Sequence, residues 1–155
     1  MKVLSDLASI NIGAPDANEI ILPQGIVGFG AYRRAELLYM TEHLPFLWMR
    51  LHGPDTIHFI VMEPGGIIPD YQPDIFDEDA EQLGLNDPSE AMILNIVTLR
   101  QQHPVDATVN LVGPIIVNRR TRKGRQLVIS NYSQYSAHYA LVDHASVGHA
   151  AARTA

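Results

Sequence analysis

Histidine is the residue type in this chain that most directly suggests chemistry, because it is the commonest metal ligand in proteins. The chain has seven histidines, and no two of them have the i, i+3 or i+4 spacing that a site on one helix face requires. His52 and His58 fall on different predicted strands, and no cysteine is present to complete a zinc site. We therefore expect no metal centre and interpret most of the histidines as surface residues.

Motifs of the common enzyme classes are also missing. The acidic run 77–82 begins like a calcium-binding loop, but Gln82 stands where glycine is required and Pro88 where the closing glutamate belongs. The glycine-rich run 25–30 lacks the spacing of a dinucleotide-binding loop, and we interpret it as a tight bend. The carboxylates could supply an acid and a base, but nothing pairs them with a nucleophile. We expect a protein that is not an enzyme and that binds no cofactor.

Charge is distributed unevenly along the chain. Its 17 acidic and 11 basic residues give a net charge of −6, yet residues 51–99 hold ten acids and neither Lys nor Arg. Asp74, Asp77, Glu78 and Asp79 place four acids within six positions. A field of one sign attracts basic partners and repels nucleic acid. Two interpretations stay open: a surface for a basic partner, or the acidic stretch that any acidic protein can have. The candidate partner-binding residues are Asp70, Tyr71 and the four clustered acids.

Five of the eleven basic residues lie in one segment, residues 119–125, which we call the basic segment. They are Arg119, Arg120, Arg122, Lys123 and Arg125. One interpretation is an RNA-binding surface, but the segment lacks interleaved aromatic residues that would stack on bases. The other is a solvated hairpin that protects a sheet edge, with its left-handed turn position at Lys123-Gly124. We favour the hairpin and keep an RNA-binding β-barrel as the alternative function.

The elements that must position these residues are mainly strands. Short apolar or alternating runs are separated at close intervals by Gly, Pro, Asn and Asp, a pattern typical of an all-β barrel or sandwich. The predicted strands are residues 7–12, 19–22, 37–41, 46–51, 58–63, 92–100, 107–112, 115–118 and 126–130. Gly113-Pro114 predicts a bend within one apolar run, because proline donates no ladder hydrogen bond. Helical spacing predicts short helices near 76–83 and 132–142.

Length and composition predict one mostly β domain. The chain has 155 residues, of which 46% are hydrophobic and 18% charged, as in ordinary globular proteins. No apolar run is long enough to span a membrane, and the first residues do not resemble a signal peptide, so we expect a cytosolic protein. We expect a small single-domain antiparallel β-barrel-like fold with short helical pieces over residues 1–143, and a disordered tail over 144–155.

Several runs resemble the flagellar assembly factor FliW family. The most specific is Thr-Val-Asn-Leu-Val-Gly-Pro-Ile-Ile-Val-Asn at 108–118, followed by Gly-Arg-Gln at 124–126. Leu-Pro-Gln-Gly-Ile-Val-Gly-Phe at 22–29, Phe-Ile-Val-Met-Glu-Pro at 59–64 and Tyr71 add to it, in matching order over roughly residues 7–140. Gly30 departs from the pattern, because glutamate usually follows Gly-Phe there.

The resemblance implies a non-enzymatic cytosolic protein that binds flagellin and also binds and antagonises CsrA, the translational repressor of flagellin mRNA. Flagellin that accumulates would occupy the protein, and secretion of flagellin would free it to capture CsrA. Direct binding to nucleic acid or to a membrane is not expected. The resemblance also implies structural roles for the motif residues Pro23, Gly25, Gly28, Phe29, Asn110, Pro114, Asn118 and Gly124.

Overall fold

The computed structural model describes residues 1–3, 18–100 and 106–141. Its strands are β1 Glu19–Ile21, β2 Arg34–Leu38, β3 Leu47–His52, β4 Thr56–Met62, β5 Ala91–Arg100, β6 Asp106–Val109, β7 Ile115–Asn118, β8 Gly124–Gln126 and β9 Tyr139–Ala140. The helix α1 spans Asp77–Gln82, and 3₁₀ turns lie at Thr41–His43, Pro88–Glu90 and Tyr132–Gln134. The predicted fold class is confirmed: this is a small, mostly antiparallel β domain with short helical pieces.

β1 to β5 form an antiparallel meander in which each strand pairs with the next. β6 and β7 then run antiparallel to β5 as two pieces of one segment. Val97 pairs with Val109 and Leu94 with Ile115, so residues 95–96 of β5 face residues 110–114. The bend predicted at Gly113-Pro114 is therefore confirmed, and it takes the form of an enlarged bulge in which five residues lie opposite two.

The sheet curls until its two ends meet. β8 pairs with β7, and the turn between them returns to β1, where Ile21 forms one bridge to Lys123. The amide of Ile21 donates to the carbonyl of Arg122 (2.8 Å). Within the described residues the two ends share a single bridge and not a ladder, so the sheet is curled and not a closed barrel.

Two hydrophobic cores lie on opposite faces of β5 and β7. The interior of the curl buries Met49, Leu94, Ile115 and their neighbours from β1 to β4. The second core packs Tyr71, Ile75 and α1 with its flanking loops against the other face, which presents Ile93 and Ile116. Burial on both faces explains why β5 and β7 have continuous apolar runs and no alternation.

The predicted helix near 76–83 is confirmed as α1, after which Gly84 adopts a φ of 69°. The helix predicted near 132–142 is wrong, since only a 3₁₀ turn forms before β9. Tyr135 packs edge-to-face on Tyr71 (5.0 Å between ring centroids), whereas Tyr139 pairs with Val109 in the sheet. Their helical spacing thus comes from two unrelated contacts.

The strand predicted at 126–130 is observed as β8, which is shorter. β8 spans Gly124–Gln126 and overlaps the predicted range at Gln126 alone. Beyond it, Leu127 and Ile129 donate backbone hydrogen bonds to the carbonyls of Pro114 and Val112 (3.0 and 3.1 Å). Pro114 has no N–H to return such a bond, so the ladder stops there. The strand predicted at 7–12 and the tail at 144–155 lie outside the described residues.

Candidate partner-binding surface

The bend at residues 22–30 is built on two glycines with left-handed backbone. Gly25 has a φ of 66° and Gly28 a φ of 87°. A Cβ atom on Gly25 would collide with the carbonyl oxygen of Phe29, whereas one on Gly28 would meet nothing within 4 Å. Phe29 packs edge-to-face against Phe59 (5.2 Å) and Tyr32 (5.9 Å). Pro23 is exposed at the start of the bend, so these motif residues place one tight turn against the curled sheet.

Asn110 shapes the bulge opposite β5. Its side-chain oxygen accepts hydrogen bonds from the amides of Val112 (3.0 Å) and Gly113 (2.8 Å). Pro114 follows and is buried, and Gln126 donates to the Gly113 carbonyl (3.0 Å). The bulge is therefore held by side chains at the point where the ladder between strands is interrupted.

Asn118 connects the second core to the turn after β7. Its side chain is 1% exposed, and its oxygen accepts from the amides of Arg120 (2.9 Å) and Thr121 (3.1 Å). Its NH₂ group donates to the carbonyls of Leu83 (2.8 Å) and Gly84 (3.3 Å), just beyond α1. One buried amide thus satisfies backbone groups from two parts of the chain.

Gly124 begins β8, packed closely against the strand beside it. A Cβ atom there would lie 3.0 Å from a methyl carbon of Val117 and 3.3 Å from one of Ile20. Its φ is not left-handed, and the positive φ of this hairpin belongs to Arg122, at 64°. The turn position predicted at Lys123-Gly124 is therefore wrong, since Gly124 is used for close packing and not for its φ.

The basic segment is not an exposed patch of five charges. The side chains of Arg119 and Arg122 donate to the carbonyls of Ser89 and Glu19 (both 3.2 Å), and burial lowers the pKa of both guanidinium groups. Arg125 forms an ion pair with Asp79 (3.2 Å). Arg120 and Lys123 are the exposed members. Much of the positive charge is therefore already in contact with the protein, which disfavours a phosphate-binding role.

The four clustered acids divide into two pairs. Asp79 faces Arg125, and a carboxylate oxygen of Asp74 accepts from the amino group of Met1 (3.0 Å). The Asp74 carbonyl also accepts from the amide of Ser130 (2.6 Å) and from its hydroxyl (2.9 Å). Asp77 and Glu78 are exposed on the first turn of α1. The Asp77 carboxylate lies 3.7 Å from the Met1 amino group and is still fully accessible, so these two carboxylates remain the accessible part of the cluster.

Tyr71 is a core residue, although the sequence placed it among the partner-binding candidates. It is 1% exposed, its hydroxyl donates to the Leu111 carbonyl (2.7 Å), and the Asn95 side chain donates to that hydroxyl (3.2 Å). Burial raises the pKa of Tyr71 well above its usual range. The side chain is therefore not accessible to a partner, and its neighbour Asp70 is exposed instead.

Asp70 lies on a surface groove of about 540 Å³ that sequence analysis did not find. The groove is lined by Ile68, Pro69, Asp70, Leu111, Ser133, Gln134, Tyr135, Ser136 and Tyr139. These residues come from three separate parts of the chain, so no local pattern could reveal them. The feature of the sequence that points to this groove is that neither residues 51–99 nor residues 126–141 contain Lys or Arg.

The histidines of the described ranges hold no metal-like cluster: within residues 1–3, 18–100 and 106–141, no three His, Cys, Asp or Glu side chains converge. His52 Nε2 lies 2.7 Å from a Glu36 carboxylate oxygen, and this hydrogen bond lowers the pKa of Glu36. The Trp48 indole N–H donates to His43 Nδ1 (3.1 Å). In the part of the chain that the structure covers, no helix has the length and apolar character needed to cross a membrane.

Comparison with known proteins adds to this geometry. The sequence model of the family described as FliW protein matches residues 6–141. The chain is 32% identical over 126 residues to a flagellar assembly factor FliW of Natranaerobius thermophilus, covering 79% of this chain and 83% of that protein. It is 31% identical over 135 residues to the one from Geobacter sulfurreducens, with 87% and 83% covered.

A solved structure agrees with the sequence relatives. A crystal structure of a flagellar assembly factor FliW superposes with a TM-score of 0.70 at 26% identity, covering 93% of this chain and 99% of that one. The likeness therefore extends over almost the whole of both chains. On the family match, the sequence relatives and the shared fold, this chain belongs to the FliW family of flagellar assembly factors.

Proposed function

We propose that this chain is a non-enzymatic, cytoplasmic flagellar assembly factor that binds flagellin and antagonises the translational repressor CsrA. The observation that carries the proposal is the family match over residues 6–141. The motif residues also support a non-enzymatic role. Asn110, Asn118 and Gly25 shape turns, so their roles are structural and not catalytic.

The proposed action is a competition between two partners. Flagellin that accumulates in the cell occupies the protein, and flagellin that is secreted leaves it free to capture CsrA. Binding of one partner then lowers the concentration of protein available to the other, as mass action requires. Synthesis of flagellin would thereby follow its export without any chemical step.

The distribution of charge supports a protein partner over RNA. The exposed Asp77 and Glu78 present carboxylates to solvent, whereas Arg119, Arg122 and Arg125 are engaged with the protein itself. CsrA binds RNA and must present basic surface, which suits such a carboxylate face. We therefore propose no direct contact with nucleic acid.

We expect the full chain to bind purified monomeric flagellin with micromolar or tighter affinity. The physical mode is capture of an apolar face that flagellin would otherwise expose before assembly. Isothermal titration calorimetry measures it, with size-exclusion co-elution as the second readout. Absence of heat and of co-elution at micromolar concentration would contradict flagellin binding.

We expect Glu78→Lys to slow association with CsrA by roughly threefold to tenfold at low salt, and to flatten the salt dependence of the rate. The fold should persist, because an exposed charge contributes little to stability. Stopped-flow mixing at several salt concentrations measures the rate.

Glu42→Lys is the matched control, since Glu42 is also an exposed glutamate in a short helical turn and its reversal changes net charge equally. It belongs to the turn between β2 and β3 and not to α1. Equal slowing by the two variants would indicate a general charge effect and would place the CsrA contact elsewhere.

A further inference from the structure

The groove combines an apolar floor with polar walls. Ile68 and Leu111, which are 5% and 2% exposed, line it together with the half-buried rings of Tyr135 and Tyr139. Ser133, Gln134 and Ser136 add polar groups to the lining. Its volume of about 540 Å³ falls in the range of pockets that hold a ligand or several side chains of a partner.

Tyr135 fixes one wall of the groove. Its hydroxyl accepts a hydrogen bond from the Gln72 amide (2.9 Å) and donates to the Asp70 carbonyl (3.3 Å). Its ring packs edge-to-face on the buried Tyr71. The loop that carries Asp70 is therefore held in place before any partner arrives, which reduces the entropy lost on binding.

Asp70 gives the groove its charge. It is the one charged side chain among the lining residues, and the stretches 51–99 and 126–141 that supply most of the lining contain no Lys or Arg. Its backbone has a φ of 58°, a left-handed conformation that few non-glycine residues adopt and that Asp tolerates better than most. Within the described residues no ion pair to Asp70 is formed. A cation of a partner is the complementary charge.

We propose that this groove docks a protein segment that presents an apolar side chain next to a Lys or Arg. The apolar side chain packs on Ile68 and Leu111 between the two tyrosines, and the cation pairs with Asp70. This proposal rests on the proposed function in one respect, because it takes unassembled flagellin as the protein that supplies the segment. Asp77 and Glu78 on α1 are not among the lining residues of the groove.

The test uses a probe that does not depend on flagellin. A fluorescently labelled peptide of about 18 residues, with Leu at helical spacing and Lys elsewhere, is titrated with the full chain at physiological salt, and anisotropy is measured. Ser133→Trp fills the groove from an exposed position, and we expect it to weaken binding by roughly tenfold or more. Asp70→Asn keeps a residue that tolerates left-handed backbone and should weaken binding by roughly threefold.

Two matched controls separate the groove from general effects. Val27→Trp places the same bulk at an exposed turn elsewhere, and Glu42→Gln removes the same charge elsewhere. Both should bind the Leu/Lys peptide as the unmodified chain does. A peptide with Glu in place of Lys should bind none of the proteins, and circular dichroism confirms that every variant is folded.

The outcomes also separate this proposal from the proposed function. Equal peptide binding by Ser133→Trp and the unmodified chain, or no binding by either, would overturn the groove proposal. Loss of peptide binding in Ser133→Trp, with no flagellin binding by any form, would support the groove and contradict the proposed function. Flagellin binding that survives Ser133→Trp would show that flagellin uses another surface and would overturn the assignment.

Discussion

Replacing Asn118 by alanine is expected to lower the free energy of unfolding by about 3 kcal/mol, because one buried and three part-buried hydrogen bonds to backbone groups are lost at once. The carbonyls of Leu83 and Gly84 lose a donor, and the amides of Arg120 and Thr121 lose an acceptor. For a domain of this size the melting temperature should fall by roughly 6–12 °C. Urea unfolding and differential scanning calorimetry measure both quantities.

Asn86→Ala is the control for that experiment. Asn86 is exposed, and its backbone N–H donates to a Glu90 carboxylate oxygen, a bond that alanine can also make. Its effect should stay within about 0.5 kcal/mol, as for most surface substitutions. Equal stabilities of the two variants would contradict the role assigned to Asn118 in joining α1 to the turn after β7.

We expect Gly25→Ala to destabilise the protein by about 4 kcal/mol, the sum of a left-handed backbone penalty and a collision with backbone. The added Cβ would strike the carbonyl oxygen of Phe29 and would lie 2.7 Å from Cα of Gly30. Backbone atoms cannot rotate away as a flexible side chain does, so the whole bend must open. Chemical denaturation followed by far-ultraviolet circular dichroism measures the loss.

Gly28→Ala separates the two contributions. Gly28 also has a positive φ, but a Cβ atom there meets nothing within 4 Å, so the cost should be about 1 kcal/mol from backbone conformation alone. A difference of less than about 1 kcal/mol between the two glycine variants would mean that the bend relaxes around the new methyl group.

An element could be predicted from sequence where its residue pattern has a single structural cause, such as the burial of one face of a strand. Buried and half-buried side chains alternate along β3, because Met49 faces the interior and Arg50 faces outward. Its period of two could therefore be recognised in the sequence. β7 was readable as a strand from its length and its flanking Gly-Pro. The pairing of β7 with β5 on one side and β8 on the other was not, because register depends on residues far apart in the chain.

The candidate site was less predictable, because charge in sequence does not report exposure. Asp79 and Arg125 were assigned to an acidic surface and to a basic hairpin, yet they contact each other at 3.2 Å. The sequence places Tyr71 next to acidic residues and so among the partner-binding candidates, but its ring belongs to the second core. The groove depends on Leu111 meeting Tyr135, which only the bulge after β6 brings together.

The single bridge between Ile21 and Lys123 bears on the order in which the protein is made. β1 to β4 can pair as each strand leaves the ribosome, but the interior face of that meander stays open until residues 115–126 emerge. At about 5–20 residues per second, the interval from residue 21 to residue 123 lasts roughly 5–20 s. Leu37, Met49 and Val61 share their core with Ile115 and Val117 in the folded protein, so we expect them to be partly exposed during this time. We therefore expect the nascent chain to present an apolar surface that general chaperones can bind until the curl is complete.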